Sequence, residues 1–265
     1  MYEFNYHRPA SIDDARKLLT SNDEAKIVAG GLTLLPTMKM RLANPSDLVD
    51  LSSIDGLSGI QDTGDAIEVG AMTIHAAVAA SDVVRSGIPA LADLADQIGD
   101  AQVRNRGTIG GSIANSDPAA DYPAGVLGLN ATIKTDRREI AADDFFTGMF
   151  ETALEADELI VSVSFPKPAA AAYAKFPNPA SRYAVVGVMV ANTGGEIGVG
   201  VTGAGAHAFR AGEFENALKD NFSSNALDGL SVDASELNDD LHASAEYRAH
   251  LVTVMAKRAA DSIGG

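Results

Sequence analysis

Cysteine is absent from all 265 residues. That removes disulfides, zinc ribbons, a cysteine nucleophile and iron–sulfur ligation from what this chain does by itself. If it exchanges electrons with an iron–sulfur centre, the centre sits on another polypeptide. Basic residues are also scarce: 20 Lys and Arg stand against 36 Asp and Glu, a net charge of −16, and no run of Lys or Arg forms a basic stripe. Nucleic acid and anionic membrane surfaces are therefore not expected as partners. No apolar stretch is long enough to span a bilayer. The first residues, MYEFNYHR, lack the apolar core of a signal peptide. The expectation is a cytoplasmic protein with no membrane insertion.

The five histidines, His7, His75, His207, His242 and His250, form no metal-ligand spacing, so no metal site is expected. Neither Ser52 and Ser53 nor Ser223 and Ser224 sit in a G-x-S-x-G elbow. The pairs Asp143, Asp144 and Asp239, Asp240 read as solvated or capping acids, because sequence neighbours do not share a face. No catalytic acid–base group is expected.

Two glycine turns stand out instead. The first is AGGLTLLP at residues 29–36; the second is RNRGTIGGSIANSDPAADYP at residues 104–123. Glycine lets backbone N–H groups approach a ligand closely, and a strand–Gly-turn–helix order aims donors at a phosphate. Two separated anion cradles suit a dinucleotide, which has a pyrophosphate and two large ends. Thr108 and Ser112 offer hydroxyl donors, Asn115 a donor and acceptor, and Asp121 an acceptor for a sugar hydroxyl. A third glycine pattern, GVGVTG at 198–203, matches the G-x-G-x-x-G spelling. Its glycines alternate with valine in a strand instead of opening a helix, so it reads as a strand packed closely on a neighbour.

The element reading starts with a strand at Tyr2, Phe4 and Tyr6 and a helix capped by Ser11 and Asp14, with Ile12, Ala15, Leu18 and Leu19 on one face. Strands follow at 26–29 and 48–51, with Thr33 capping a short helix between them. A second segment has a strand at 66–72, a helix capped by Thr73, and a helix opened by Pro89. The 104–118 stretch reads as a loop, followed by a helix at 119–129. A hairpin turns about Asp136 and Arg137, and a strand over 158–165 places Leu159, Val161, Val163 and Phe165 on one face. Pro166, Pro168 and the alanines to Ala172 read as a linker. Strands at 183–191 and 196–202, joined by a glycine turn, and helices at 212–219 and 245–262 complete the chain.

The two turns closely resemble the FAD-binding medium subunits of molybdenum hydroxylases, of the carbon monoxide dehydrogenase medium-chain type; xanthine dehydrogenase carries a related domain. The resemblance covers nearly the whole chain. It implies an α+β fold: a two-part FAD-binding domain of the vanillyl-alcohol-oxidase type over residues 1–58 and 59–168, then a smaller α+β domain over 169–265. It implies that Ala29, Gly30, Gly31, Leu32, Thr33 and Leu34 surround the FAD pyrophosphate with Thr108, Ile109, Gly110, Gly111 and Ser112. Asn115 and Asp121 would join them, and Asp121 matches the family's acidic FAD ligand. Ile98, Ile160, Lys175 and Tyr183 fall near the flavin, where Tyr183 would cover one face. Leu32 stands where relatives commonly carry a polar residue. The partners implied are a molybdenum-cofactor large subunit and a 2Fe-2S small subunit, with FAD passing electrons to a quinone, oxygen or NAD. The alternative is a self-contained FAD-dependent oxidoreductase acting on a small substrate, which would need an acid or base beside the flavin.

Overall fold

The computed structural model describes residues 1–263. Three strands open the chain in a parallel sheet of order β1-β3-β2: β1 (Asn5–His7), β2 (Ala25–Val28) and β3 (Asp47–Asp50). Helix α1 (Ile12–Ser21) connects the first two, and α2 (Leu34–Lys39) the second and third. At the start of α1 the Ser11 hydroxyl accepts from Asp14 N at 3.2 Å and donates to the Asp14 carboxylate at 2.8 Å. Ala15 and Leu19 point inward and join Val49 and Leu51 in a small core. Thr33 precedes α2 but makes no side-chain cap bond.

The second segment is a five-stranded antiparallel sheet of order β4-β5-β10-β6-β7, with β10 (Ile160–Pro166) at its centre. Its edge pairs are β4 (Ile60–Asp62) with β5 (Ala66–Gly70), and β6 (Thr132–Thr135) with β7 (Glu139–Ala141). Six helices lie between β5 and β6: α3 (His75–Ala80), α4 (Asp82–Gly87), α5 (Pro89–Asp96), α6 (Ala101–Arg104), α7 (Ile109–Asn115) and α8 (Tyr122–Gly128). The glycine-rich stretch expected as a loop is thus partly helical. Thr108 supplies the N-cap that makes this possible, its side chain accepting from Gly111 N. Thr73 does not cap α3 as expected: Ile74 holds that position, and the Thr73 hydroxyl is tied to Gly59. After β7 come α9 (Ala142–Phe145) and the ribbon of β8 (Phe146–Gly148) and β9 (Glu151–Thr152).

The central strand β10 (Ile160–Pro166) departs from simple alternation. Its register with β6 shifts between Ile160 and Ser162, a bulge that swaps the faces taken by the residues after it. Leu159 and Val161 therefore pack with the N-terminal core, whereas Ile160, Val163 and Phe165 enter the central one.

The expected linker at 166–172 is largely strand. β11 (Ala170–Pro177) takes in the alanines and pairs with β12 (Ala184–Thr193) from Ala170 onward. The small side chains permit this because α11 (Ala245–Ile263) covers that sheet and leaves little room. β13 (Glu196–Thr202) and β14 (Phe209–Arg210) complete a four-stranded antiparallel sheet, with α10 (Gly212–Asp220) beside it. The glycines of β13 serve close packing. A Cβ on Gly198 would lie 2.2 Å from the Gly128 carbonyl oxygen, and one on Gly200 would lie 2.2 Å from that of Ala124. Helix α8 therefore rests directly on the bare backbone of the C-terminal sheet.

Candidate functional site

A cleft of about 600 Å³ opens where the two glycine turns meet. Buried Val28 ends β2, and the chain then turns at Gly30 and Gly31, the latter with φ +75°. A Cβ on Gly30 would fall 2.2 Å from the Arg106 carbonyl oxygen and 2.8 Å from Gly107 Cα. The first turn thus lies on the backbone of the second, and glycine is what allows the contact. No N–H group of residues 30–34 donates a hydrogen bond to another group among the described residues. Five consecutive donors at the mouth of a helix make a strong anion cradle.

The second turn differs from expectation. Its backbone N–H groups are already used: Ile109 N donates to Thr73 O at 3.1 Å, Gly110 N to Ala71 O at 2.8 Å and Ser112 N to Thr108 O at 3.0 Å. Gly111 N donates to Thr108 Oγ1 at 3.1 Å. A Cβ on Gly110 would lie 2.7 Å from the Ala71 carbonyl oxygen, so this glycine docks α7 on the end of β5. What the turn turns toward the cleft is side-chain chemistry. Thr108 keeps a hydroxyl proton to donate while accepting from Gly111, and Ser112 and Asn115 also line the cleft.

Among the sequence-predicted residues, Ala29, Gly30, Gly31, Leu32, Thr33, Leu34, Ile98, Thr108, Gly111, Ser112, Asn115, Asp121 and Tyr183 line the cleft. Four lie elsewhere. Ile109 is fully buried in the core and Gly110 faces Ala71. Ile160 lies on the face of β10 opposite Leu159 and Val161 and is buried in the central core. Lys175 does not reach the cleft because Asp121 holds it: Nζ donates to the carboxylate at 2.9 Å and to the Gln97 carbonyl at 3.1 Å.

Asp121 and Lys175 form a buried ion pair, their side chains 4% and 2% exposed. The Tyr173 hydroxyl donates to Asp121 Oδ1 at 2.6 Å. Burial pushes the Asp121 carboxyl above the ordinary carboxylate range; the Lys175 ammonium and the Tyr173 hydroxyl offset part of that rise. The pair joins the start of α8 to β11, so the C-terminal sheet completes one wall of the site. The Tyr183 phenol is also shifted upward, first by burial and then by the charges of Asp117 and Asp121.

Sequence reasoning missed several lining residues, notably His75, Phe150 and Arg182. His75 is 4% exposed, and burial, reinforced by the Arg104 charge, lowers its pKa to about 4. It is therefore neutral at physiological pH. Its Nδ1 and the Tyr122 hydroxyl are both buried without a hydrogen-bond partner among the described residues, the two rings 5.3 Å apart. No spacing rule marks His75, since only the approach of Gly107 brings the ring to the cleft. Phe150 and Arg182 adopt φ +56° and +63°, and a sequence gives no sign of a non-glycine residue in that region.

Comparison with known proteins places this geometry. Residues 2–168 match the family described as FAD binding domain in molybdopterin dehydrogenase, and residues 171–263 match the CO dehydrogenase flavoprotein C-terminal domain. The chain is similar to the nicotine 6-hydroxylase medium subunit of Paenarthrobacter nicotinovorans, 36% identical over 96% of this chain and 94% of that one. It is similar also to the carbon monoxide dehydrogenase medium chain of Hydrogenophaga pseudoflava, 35% identical over 98% of this chain and 96% of that one. A solved carbon monoxide dehydrogenase from the same organism superposes with a TM-score of 0.90 at 34% identity, covering 99% of this chain and 98% of that chain. With both of its parts matched and its fold shared throughout, the chain belongs to the FAD-binding medium subunits of the molybdenum hydroxylases.

Proposed function

We propose that this chain is the electron-relay subunit of such a complex, working in the cytoplasm. It takes electrons from a 2Fe-2S small subunit that a molybdenum-cofactor large subunit reduces, and it delivers them to a quinone, oxygen or NAD. The observation that carries the reading is the run of five N–H groups at 30–34, unpaired among the described residues, in a cleft that Thr108 also lines. Such a cradle suits a pyrophosphate, and the cleft volume is in the range of a cofactor site. The residues present therefore fit FAD. When bound, FAD supplies the redox chemistry itself.

The protein's own residues bind and position. The 30–34 N–H groups take the phosphate charge, and Thr108, Ser112 and Asn115 hold the polar chain that runs from it. Asp121, fixed by Lys175 and Tyr173, presents an acceptor at a set position. His75 is held neutral, so it adds no charge to the cleft and is not poised as a base near pH 7. That favours a relay over a self-contained oxidoreductase. Absence of cysteine agrees, since the metal centres then lie on partner chains. The domain division at residues 58 and 168 belongs to the same proposal.

Copurification from the native host tests it. The expected result is a complex carrying FAD, iron and molybdenum, with this chain as the flavin-bearing part. A chain that neither carries nor takes up FAD would overturn the reading.

A further inference from the structure

We infer that Phe150 is the second aromatic wall of the flavin-ring end of the cleft, opposed to Tyr183. The inference rests on the FAD reading above. Phe150 and Tyr183 both line the cleft, and each is about half exposed, 55% and 46%. Large apolar rings left open to solvent inside a cleft mark a surface waiting for a flat partner.

Their placement selects the end. Phe150 N donates to the carbonyl of Ser116, the residue that terminates α7, at 3.1 Å. The Ser116 hydroxyl in turn donates to the Gly148 carbonyl at 3.4 Å, so the ribbon tip is tied to the helix end at two points. Tyr183 stands over the same end from the other domain. Its phenol feels the charges of Asp117 and Asp121, and the next residue, Ala184, donates from N to the Ala119 carbonyl at 3.2 Å. The phosphate cradle lies at the opposite end of α7, where Gly30 meets Arg106 and Gly107. Eight residues from Thr108 to Ser116 put roughly 12 Å of helix between the two ends, the separation that a sugar-like chain between pyrophosphate and ring would span.

A dinucleotide has two ring systems, and the half-exposed end suits the one that must exchange electrons with partners outside the chain. Adenine has no such need. The Phe150 backbone, at φ +56° in a region that bulky residues rarely enter, is held there by its bond to Ser116, so the point from which the ring projects is set before a ligand arrives.

The test is FAD titration of the flavin-stripped full chain and its Phe150→Ala and Phe150→Tyr variants, with the visible spectrum of the bound flavin recorded in each. Loss of one aromatic wall should weaken FAD binding roughly 5- to 10-fold in Phe150→Ala. The bound-flavin bands should also move toward those of free FAD, and Phe150→Tyr should restore both. Weaker binding with an unchanged flavin spectrum would put Phe150 at the adenine end and overturn the inference, as would no change in either. Failure of the unsubstituted chain to bind FAD would instead sink the function reading on which this one stands.

Discussion

Gly30→Ala is the sharpest probe of the way the cleft is built. The added methyl would sit 2.2 Å from the Arg106 carbonyl oxygen and 2.8 Å from both the Arg106 carbonyl carbon and Gly107 Cα. All three are backbone atoms, so no rotamer change relieves the overlap and the two turns must separate. Overpacking of this kind costs about 1–3 kcal/mol, and backbone on the receiving side argues for the upper end. At roughly 2–4 °C per kcal/mol for a chain of this size, the thermal midpoint should fall by about 6–12 °C. Separation also tilts the 30–34 donors away from Thr108, so FAD affinity should fall with stability. Gly212→Ala is the control: a Cβ there meets nothing within 4 Å, the residue opens α10, and alanine suits a helix better than glycine. Thermal denaturation and flavin titration of both variants make the assay. A Gly30→Ala chain with the melting point and FAD affinity of the parent would refute the argument that glycine is required for contact between the turns.

Further outcomes follow from the same geometry. Lys175→Met should lose about 3–5 kcal/mol in denaturant titration, since it strands the Asp121 carboxylate in the interior, and the double variant with Asp121→Leu should recover much of it. His75 titrates near 4 when folded and near 6.5 when unfolded, so the unfolded chain binds more protons between those values. Stability should therefore fall as pH drops from 6.5 to 4, by up to about 3 kcal/mol from this residue, and His75→Gln should flatten the curve over that window. Thr108→Ala should cost about 1 kcal/mol through the lost cap and also weaken FAD, whereas Thr108→Ser should keep both.

Local rules made much of the fold readable. Ser11 with Asp14, Pro89 as a helix start, and the Asn192 to Gly195 turn all act through neighbours in sequence, and the elements they bound appear where expected. The glycine pattern of 198–203 was readable as strand packing for the same reason, since alternation with valine is a local signal. Failures came where a distant partner decided. The bulge that turns Val163 and Phe165 away from the face of Leu159 and Val161 depends on register with β6, and the alanines of 170–172 become strand only because β12 and α11 lie beside them. At the site, which residues gather was largely legible, but how they work was not. The amides of 109–112 read as free donors, yet the carbonyls of Ala71 and Thr73, just after β5, consume two of them. Lys175 read as a separate cofactor neighbour, while the fold makes it the partner of Asp121.

The seating of α8 on bare backbone has a mechanical consequence. This helix starts at the Asp121 wall of the cleft and runs on to Gly128, with its Ala124 and Gly128 carbonyls set directly on the strand glycines Gly200 and Gly198 and the Met189 side chain packed beside them. Two backbone-to-backbone seats make it a stiff strut between the cleft wall and the C-terminal sheet. Electron tunnelling between chains depends steeply on distance, so a relay profits from a spacing that does not breathe. Gly198 and Gly200, which do not line the cleft, thereby help hold the Asp121 wall at a set position.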